Sequence, residues 1–566
     1  MKFEYINNTP AELAPSWFTQ AYDALLARLG AIDGNSPAAA WLELVAHWNE
    51  LQMVVAGERE RTSWGESLDV KDGAAAARAS TFRNRIRPLV TEHNAQLRRA
   101  ILDGPAVDAI KQRYGAFLID QWECKEIAAH PVNIELDVKD QELVTRYHAL
   151  RGGAQIEFQG RKHTLTALEN MLEHNNELVR RGAFDAMMGW YRDNRAELDA
   201  IYLEMVQLRD RAGRNLNFDN FIPLGYKRMR RLDYGPEQVA QFRAQVLQHV
   251  TPLVRQLRAE QARPMGAEAV RPWNRNYLGR YSLPDNAAPV ERQLDGALQI
   301  FQRLHPKLAA HFGRMMDNNL IDLENRPGKR GGAFCTEMPD RGEVRIFCNS
   351  TGAASDVATL LHESGHAFQG WESQWIEVDD LRSPTLEAAE IHSMGMEYLA
   401  YPHLDVFFAP EHERRFKHGH LVEAVQFLCY ACVVDGFQHR VYANPGMGAA
   451  ELAEVWDDLW AQFMVGEDWS DYREELGAFW HHKLHIFSRP FYYIDYALAQ
   501  LCALQLWRLS TRDPADALER YLHLCRQGGT RSFSELVEQA GLKDPFAEET
   551  LVNVLAAVWA ELGLEH

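Results

Sequence analysis

Two histidines and a glutamate in one short segment have the residue types and the spacing of a metal site. The segment 355–368 contains His362, Glu363 and His366, and its apolar residues recur at helical spacing. Side chains four residues apart project from one face of a helix, with Cβ atoms about 5–6 Å apart. Two imidazoles placed in this way can bind one zinc ion through bonds of roughly 2.0–2.1 Å. Glu363 lies about 100° further round the helix, which predicts a general base that activates a water rather than a metal ligand.

A candidate third ligand follows on a second predicted helix. Two core histidines can share a helix face by chance, so the first motif alone leaves that alternative open. Ser383-Pro384 has the pattern of a helix start, and Glu390 and Glu397 lie seven residues apart on one face of that helix. Two histidines and Glu390 would form an open catalytic site for one zinc ion, with a fourth position for water.

A structural zinc site is the less favoured explanation. Such sites usually have four protein ligands, and no Cys-x-x-Cys pair lies near the histidines. Cys429 and Cys432 have that spacing, but they fall in the apolar helical run 425–434. Packing in the core is therefore the favoured role for these two cysteines.

A β-hairpin is predicted immediately before the histidine helix. Segment 329–336 is followed by the turn-like residues 339–342, and segment 343–349 then alternates in the manner of a strand. A surface hairpin with no functional role is the alternative. Almost all of the remaining chain has helical periodicity, which predicts a mainly α fold with a small sheet. The clearest helical patterns are 16–30, 40–56, 91–120, 164–213 and 236–262.

Composition and charge disfavour several classes of protein. The chain has 566 residues and a formal net charge of −19, which disfavours nucleic-acid partners. The sequence contains no run of eighteen apolar residues, so no membrane span is expected, and the N-terminal residues lack the pattern of a signal peptide. Seven cysteines without a disulfide framework favour a reducing, cytoplasmic location. Residues 564–566 resemble the start of an expression tag, so no functional role is expected of them.

Three blocks of sequence resemble one known family. Residues 356–367, 387–397 and 485–500 are similar to motifs of the oligoendopeptidase F and thimet oligopeptidase family of zinc metallopeptidases, and most similar to the bacterial oligoendopeptidase branch. The resemblance extends over roughly residues 170–560. It implies a zincin-like helical metallopeptidase in which Glu390 is the third zinc ligand. It also implies that Glu397 hydrogen-bonds a ligating histidine and thereby fixes its tautomer.

The third block implies a set of hydrogen-bond donors for catalysis. In the family, a histidine and tyrosines of this segment donate to the carbonyl oxygen of the substrate as charge develops on it. The resemblance assigns this role to His485, Tyr492 and Tyr496, without deciding which tyrosine is the main donor. An aromatic packing stripe is the alternative, and it is more favoured for Tyr493 than for Tyr496.

The resemblance also implies how a substrate is held. The segment formed by Gly331, Gly332, Ala333 and Phe334 is similar to an edge strand of the family that pairs with an extended peptide through the main chain. Residues 1–170 are expected to form an N-terminal helical domain that covers a deep, enclosed channel. Residues 171–563 are expected to form the catalytic domain.

The sequence therefore predicts a zinc metalloendopeptidase that hydrolyses short, unstructured oligopeptides. A zinc carboxypeptidase of related fold is one alternative, in which Arg330 or Arg489 would bind the carboxylate at the substrate's C-terminus. A catalytically inactive peptide-binding protein is another, which the presence of Glu363 beside three ligands disfavours. The sequence leaves the oligomeric state and the cleavage preference open.

Overall fold

The computed structural model describes residues 4–10, 12–284 and 286–564, so residues 565–566 of the suspected tag lie outside the described residues. The predicted mainly helical fold is confirmed. The α-helices in chain order are α1 Glu4–Asn7, α2 Pro15–Gly30, α3 Ala38–Leu68, α4 Gly73–Thr81, α5 Arg87–Leu102, α6 Val107–Tyr114, α7 Ala116–Ala128, α8 Ile134–Gly152, α9 Leu165–Asn170, α10 Glu177–Asp193, α11 Arg195–Arg214, α12 Phe221–Arg228, α13 Pro236–Gln245, α14 Thr251–Ala262, α15 Val290–Leu304, α16 Pro306–Asp317, α17 Ala354–Glu372, α18 Leu386–Leu399, α19 Pro410–Ala443, α20 Ala449–Phe463, α21 Arg473–Gly477, α22 Leu484–Ser488, α23 Tyr493–Ser510, α24 Pro514–Gln527, α25 Phe533–Gln539 and α26 Glu548–Leu562.

In the described part of the chain, two small sheets accompany the helices. Their strands are β1 Ile156–Phe158, β2 Arg161–His163, β3 Ile321–Glu324, β4 Phe334–Met338 and β5 Glu343–Ser350. Strands β1 and β2 form an antiparallel pair, whereas the second sheet has the order β3-β5-β4. In that sheet β4 and β5 are antiparallel, with Cys335 opposite Ile346, so the predicted hairpin is confirmed. Its first strand begins at Phe334, and Gly331, Gly332 and Ala333 precede the strand rather than forming part of it.

The chain forms two compact units, each built from separated segments. Unit 1 comprises Met1–Glu126, Pro284–Ala409 and Cys502–Leu542. Unit 2 comprises Ile127–Leu283, Pro410–Leu501 and Lys543–His566. These units do not coincide with the division at residue 170 expected from the sequence, and the assignment of 1–170 and 171–563 as domains stays a prediction.

In unit 1, the three-stranded sheet supports the histidine helix α17. Helix α17 packs on β4 and β5, while Phe334 and Phe347 stack with ring centroids 4.7 Å apart beside Trp64. The helix begins after a turn that the Asp356 carboxylate stabilises by accepting hydrogen bonds from three backbone N–H groups, those of residues 351–353. A carboxylate at this position also interacts favourably with the N-terminal end of the helix dipole.

Helix α18 begins later than the sequence indicates. The start predicted at Ser383-Pro384 is wrong, because the helix begins at Leu386 and Thr385 occupies the N-cap. Tertiary contacts explain the delay. The carbonyl of Leu381 accepts a hydrogen bond from the backbone of Gly529, and a Cβ at Gly529 would lie 2.3 Å from the Ser383 oxygen. The chain is thus held outside the helix until these contacts end.

In unit 2, the long helix α19 forms much of the core. Cys429 and Cys432 on this helix are fully buried, as expected for a role in packing. Burial raises the pKa of both thiols above its ordinary value. Of the described helices, only α19 has the length and apolarity to span a membrane, and 83% of its most apolar 18-residue window is buried within the protein. Such burial is also typical of an ordinary core helix.

Candidate metal centre and active site

Three polar atoms from two helices of unit 1 converge at the candidate metal centre. The Oε2 atom of Glu390 on α18 lies 3.4 Å from His362 Nε2 and 3.5 Å from His366 Nε2, both on α17. A tetrahedral ion with bonds of about 2.0–2.1 Å holds its ligand atoms roughly 3.3–3.4 Å apart. The histidines are about one quarter exposed and Glu390 is almost buried, so solvent reaches the group through the histidines. The donor set therefore fits a zinc ion.

Close packing of the two helices brings these atoms together. Gly365 lies on α17 between the two histidines, and a Cβ at this position would lie only 2.3 Å from the His392 oxygen of α18. The same Cβ would lie 2.7 Å from the Cα of Ser393. Real Cβ contacts are not this short, so only glycine allows the two backbones to approach to this distance.

Glu397 is in hydrogen-bond contact with one of the histidines, the residue to which the family resemblance assigns this role. Its Oε1 atom lies 2.7 Å from His362 Nδ1, and an N–H at Nδ1 leaves Nε2 free to bind a metal. Burial opposes protonation of His362, but Glu390 and Glu397 outweigh it and raise the pKa of the imidazole well above its ordinary value. In the opposite sense, burial disfavours ionisation of Glu390, but the two histidines hold the pKa of this carboxyl well below its usual range.

Ser393 is a site residue that sequence reasoning missed. Its hydroxyl lies 2.9 Å from Glu390 Oε2 and 3.0 Å from the Glu390 backbone oxygen. Its single proton can donate to the carboxylate and thereby orient the candidate third ligand. The only signal in the sequence is the spacing of three residues between Glu390 and Ser393, which places both side chains on one side of the helix.

Glu363 lies beside the convergent atoms but is not one of them. The residue is only 6% exposed. Burial is the main reason why the pKa of its carboxyl is raised, while the neighbouring histidines His362 and His366 act to lower it. A raised pKa brings a carboxylate closer to the proton affinity that a general base needs near neutral pH.

The predicted donors of the third sequence block form an aromatic cluster in unit 2. The ring of His485 lies 5.7 Å from that of Tyr492 and 6.1 Å from that of Tyr496. The two tyrosine rings lie 4.8 Å apart. Tyr493 also belongs to this cluster, with its ring 5.0 Å from that of His485. Its hydroxyl accepts a hydrogen bond of 3.2 Å from Lys483, so its surroundings differ from those of a residue that only fills the core.

An unusual backbone conformation precedes these tyrosines. Phe491 has a φ of 66°, in the left-handed region that non-glycine residues rarely adopt. Its N–H donates to Gln438 Oε1 at 2.9 Å, and its carbonyl accepts from the guanidinium of Arg231. Arg231 also pairs with Asp495, and both side chains are fully buried. Burial raises the pKa of Asp495 to about 6, although the nearby Arg231 acts to lower it.

The other residues singled out from the sequence lie in more open positions. Gly331 and Gly332 are exposed in unit 1, before β4, and Phe334 packs against Trp64. Arg330, proposed for the carboxypeptidase alternative, is exposed beside these glycines. Arg489 belongs to unit 2, is exposed, and has its guanidinium 5.7 Å from the centre of the Tyr492 ring.

Comparison with known proteins connects this geometry to a family. The sequence profile of Peptidase family M3 matches residues 170–554, and that of the Peptidase M3 N-terminal domain matches residues 17–128. The comparison with curated proteins gives no match.

Solved structures give the same result. A protein designated oligoendopeptidase F has 32% sequence identity and a TM-score of 0.90, covering 99% of this chain and 98% of that one. PZ peptidase A with an inhibitor has 30% identity and a TM-score of 0.90, covering 99% of both chains. A protein from Bacillus anthracis str. Ames that is designated oligoendopeptidase F has 30% identity and a TM-score of 0.86, covering 98% of both chains. This chain belongs to peptidase family M3.

Proposed function

We propose that the protein is a zinc metalloendopeptidase that hydrolyses short, unstructured oligopeptides. Membership of the family supports a peptidase acting on peptides. The observation that carries the finer proposal is the convergence of His362 Nε2, His366 Nε2 and Glu390 Oε2 beside a buried Glu363. Three protein ligands leave one position open, which is typical of a catalytic rather than a structural zinc site.

The residues of unit 1 have different roles in the proposed reaction. When bound, zinc supplies Lewis acidity, which polarises the scissile carbonyl and acidifies the attacking water. The Glu363 carboxylate accepts a proton from that water and later delivers it to the leaving amine. Glu397 keeps the proton of His362 on Nδ1, so that Nε2 faces Glu390 as a ligand.

We assign His485, Tyr492 and Tyr496 as donors to the substrate's carbonyl oxygen. Their mutual ring contacts in unit 2 and their resemblance to the family's motif support this role. Charge on that oxygen grows toward the transition state, so a correctly placed donor accelerates the reaction without strengthening ground-state binding.

The proposed substrate class is flexible peptide. The relatives of known structure are named as oligoendopeptidases or PZ peptidase, and β4 lies at the edge of its sheet, a position suited to pairing with an extended main chain. We further propose that an enclosed channel excludes folded proteins and that the enzyme acts in the cytoplasm.

The test is digestion of a mixed peptide library, analysed by mass spectrometry, with zinc-loaded wild type and with Glu363→Gln. Wild type is expected to cut internal bonds of short peptides and to spare tightly folded proteins. Glu363→Gln should retain zinc and lose almost all turnover; retention of a tenth of the wild-type rate would exclude Glu363 as the base.

Peptides with free and with amidated C-termini separate the two reaction types in the same assay. An endopeptidase should cut both kinds of peptide at similar rates. Release of single C-terminal residues from free peptides only would favour the carboxypeptidase instead. Binding without cleavage by the wild type would favour an inactive peptide-binding protein.

A further inference from the structure

A tyrosine far from the metal motifs in sequence contacts both helices that carry the candidate metal ligands. Tyr521 on α24 belongs to unit 1 and is fully buried. Its hydroxyl lies 3.0 Å from the backbone oxygen of His392 on α18 and 3.4 Å from that of Gly365 on α17. Both acceptors sit within the metal motifs: Gly365 lies between the two histidine ligands, and His392 follows Glu390 by two residues.

The hydroxyl can make these contacts without disturbing either helix. A backbone carbonyl has two lone pairs, so each oxygen can accept from Tyr521 in addition to its own helical N–H. Burial raises the pKa of Tyr521 well above its ordinary value, so the hydroxyl keeps the proton that it donates. Its single proton is donated mainly to the nearer His392 oxygen and is shared with the Gly365 oxygen, so one buried donor contacts both helices that carry the three candidate ligands.

The ring of Tyr521, like its hydroxyl, is in close contact with α18. A Cβ at Gly395 of α18 would lie 3.4 and 3.5 Å from two ring carbons of Tyr521, and 3.0 Å from Leu506. The ring thus lies against the backbone of α18 at a glycine, while α17 meets α18 at Gly365. Contacts in which no side chain separates the elements leave little freedom for one helix to shift relative to another.

We propose that Tyr521 is a positioning residue for the metal centre. Its hydroxyl sets the separation of α17 and α18, and through it the distance of 3.4–3.5 Å between Glu390 Oε2 and the two Nε2 atoms. A zinc ion tolerates only a narrow range of ligand distances, so a small relaxation of this crossing weakens binding of the ion. The inference rests on the proposed zinc function.

The experiment compares Tyr521→Phe with a matched control in the full-length protein. The control is Tyr22→Phe, because Tyr22 is also fully buried in unit 1 and its hydroxyl lies 2.9 Å from Asn94 Oδ1, remote from α17 and α18 in sequence. Each variant loses one buried hydroxyl and keeps its ring. The measurements are the zinc dissociation constant, by competition with a chromophoric chelator, and the thermal stability of the zinc-free protein.

Tyr521→Phe should weaken zinc binding by about tenfold, the lower end of the range for removing a partner of a metal ligand, because its hydroxyl acts on the two helices and not on a ligand itself. Tyr22→Phe should leave the zinc dissociation constant within twofold of wild type, although both variants lose a similar amount of zinc-free stability. The absorption spectrum of the cobalt-substituted protein should change for Tyr521→Phe alone, since it reports the geometry of the ligands.

Equal zinc affinity and an unchanged cobalt spectrum for wild type and Tyr521→Phe would overturn the positioning role while leaving the zinc enzyme intact. Failure of the wild type itself to bind one zinc ion would instead overturn the proposed function, and the positioning role with it.

Discussion

The metal centre of unit 1 and the aromatic cluster of unit 2 are built in different ways. At the metal centre, the candidate ligands project from two regular helices, and their atoms converge because Gly365 lets the helix backbones approach closely. In the aromatic cluster, the tyrosines follow an irregular residue, Phe491, whose positive φ is supported by Gln438 and by the buried Arg231.

The two regions therefore depend on different structural features. A ligand set on regular helices depends on the residue spacing along each helix and on the distance between the helices. It is therefore sensitive to side chains that hold the helices or the ligands in place. A cluster that follows a strained residue depends on the buried partners that hold the strain in place. Substitutions at the candidate ligands and at their hydrogen-bond partners should therefore act first on metal affinity, whereas those in the aromatic cluster of unit 2 should act first on turnover.

The largest effect is expected at the third ligand. Glu390→Ala should lower zinc affinity by far more than the roughly 10–100-fold typical of an outer partner, because two imidazoles would remain as the only protein ligands. Metal content after dialysis against a competing chelator measures the effect. Full occupancy of Glu390→Ala under these conditions would show that the third ligand is misassigned.

The next prediction concerns the tyrosines of the aromatic cluster in unit 2. Tyr496→Phe should lower kcat by about 10²-fold or more, with KM within a fewfold and zinc content unchanged, because the donor acts mainly in the transition state. Tyr493→Phe should have a much smaller effect. Steady-state kinetics on one fluorogenic peptide measures both variants. An inactive Tyr493→Phe beside a nearly normal Tyr496→Phe would transfer the role to Tyr493.

An intermediate effect is expected from Glu397→Gln. The variant keeps the size of the side chain but removes the charge that accepts from His362 Nδ1 at 2.7 Å. Zinc affinity should fall by about 10–100-fold, and kcat of the zinc-saturated enzyme should fall less. Chelator competition and kinetics at saturating zinc separate the two quantities. A large loss of kcat with normal zinc affinity would contradict the role of Glu397 as a partner of a ligand.

The smallest effect concerns the end of the metal helix. Glu372 is the last residue of α17. Its buried carboxylate lies 2.6 Å from Lys307 Nζ and 3.0 Å from His311 Nε2. Burial opposes its ionisation, but these two partners, with Arg526, lower its pKa from 4.5 to about 2. A lowered folded pKa means that its stabilisation is complete above pH 4.5 and is lost as the pH falls toward 2.

Glu372→Gln should therefore lower the free energy of unfolding by about 1–3 kcal/mol at pH 7, and the difference from wild type should shrink at pH 3.5. Urea denaturation of the zinc-free protein at the two pH values measures it. Glu377→Gln is the control, because Glu377 pairs with Arg113 at the surface and should contribute less than about 1 kcal/mol. A difference that grows on acidification would exclude the proposed ion pairs.

The sequence alone determined the local part of this protein. The 3.6-residue period of the helix places His362 with His366, and Glu390 with Glu397, on single faces. Alternation of side chains around a turn likewise revealed the hairpin of β4 and β5. Each of these predictions depends on residues within about two helical turns or one hairpin of each other, where periodicity and turn chemistry carry the information.

Contacts between distant segments could not be predicted from the sequence and are visible only in the folded protein. Tyr521 has ordinary helical surroundings in the sequence, and its role becomes visible only where α17, α18 and α24 pack together. The left-handed Phe491 has no local signal, because partners from residues 231 and 438 hold it. The two compact units are assembled from interleaved segments, since packing free energy depends on which surfaces meet in space and not on their order along the chain.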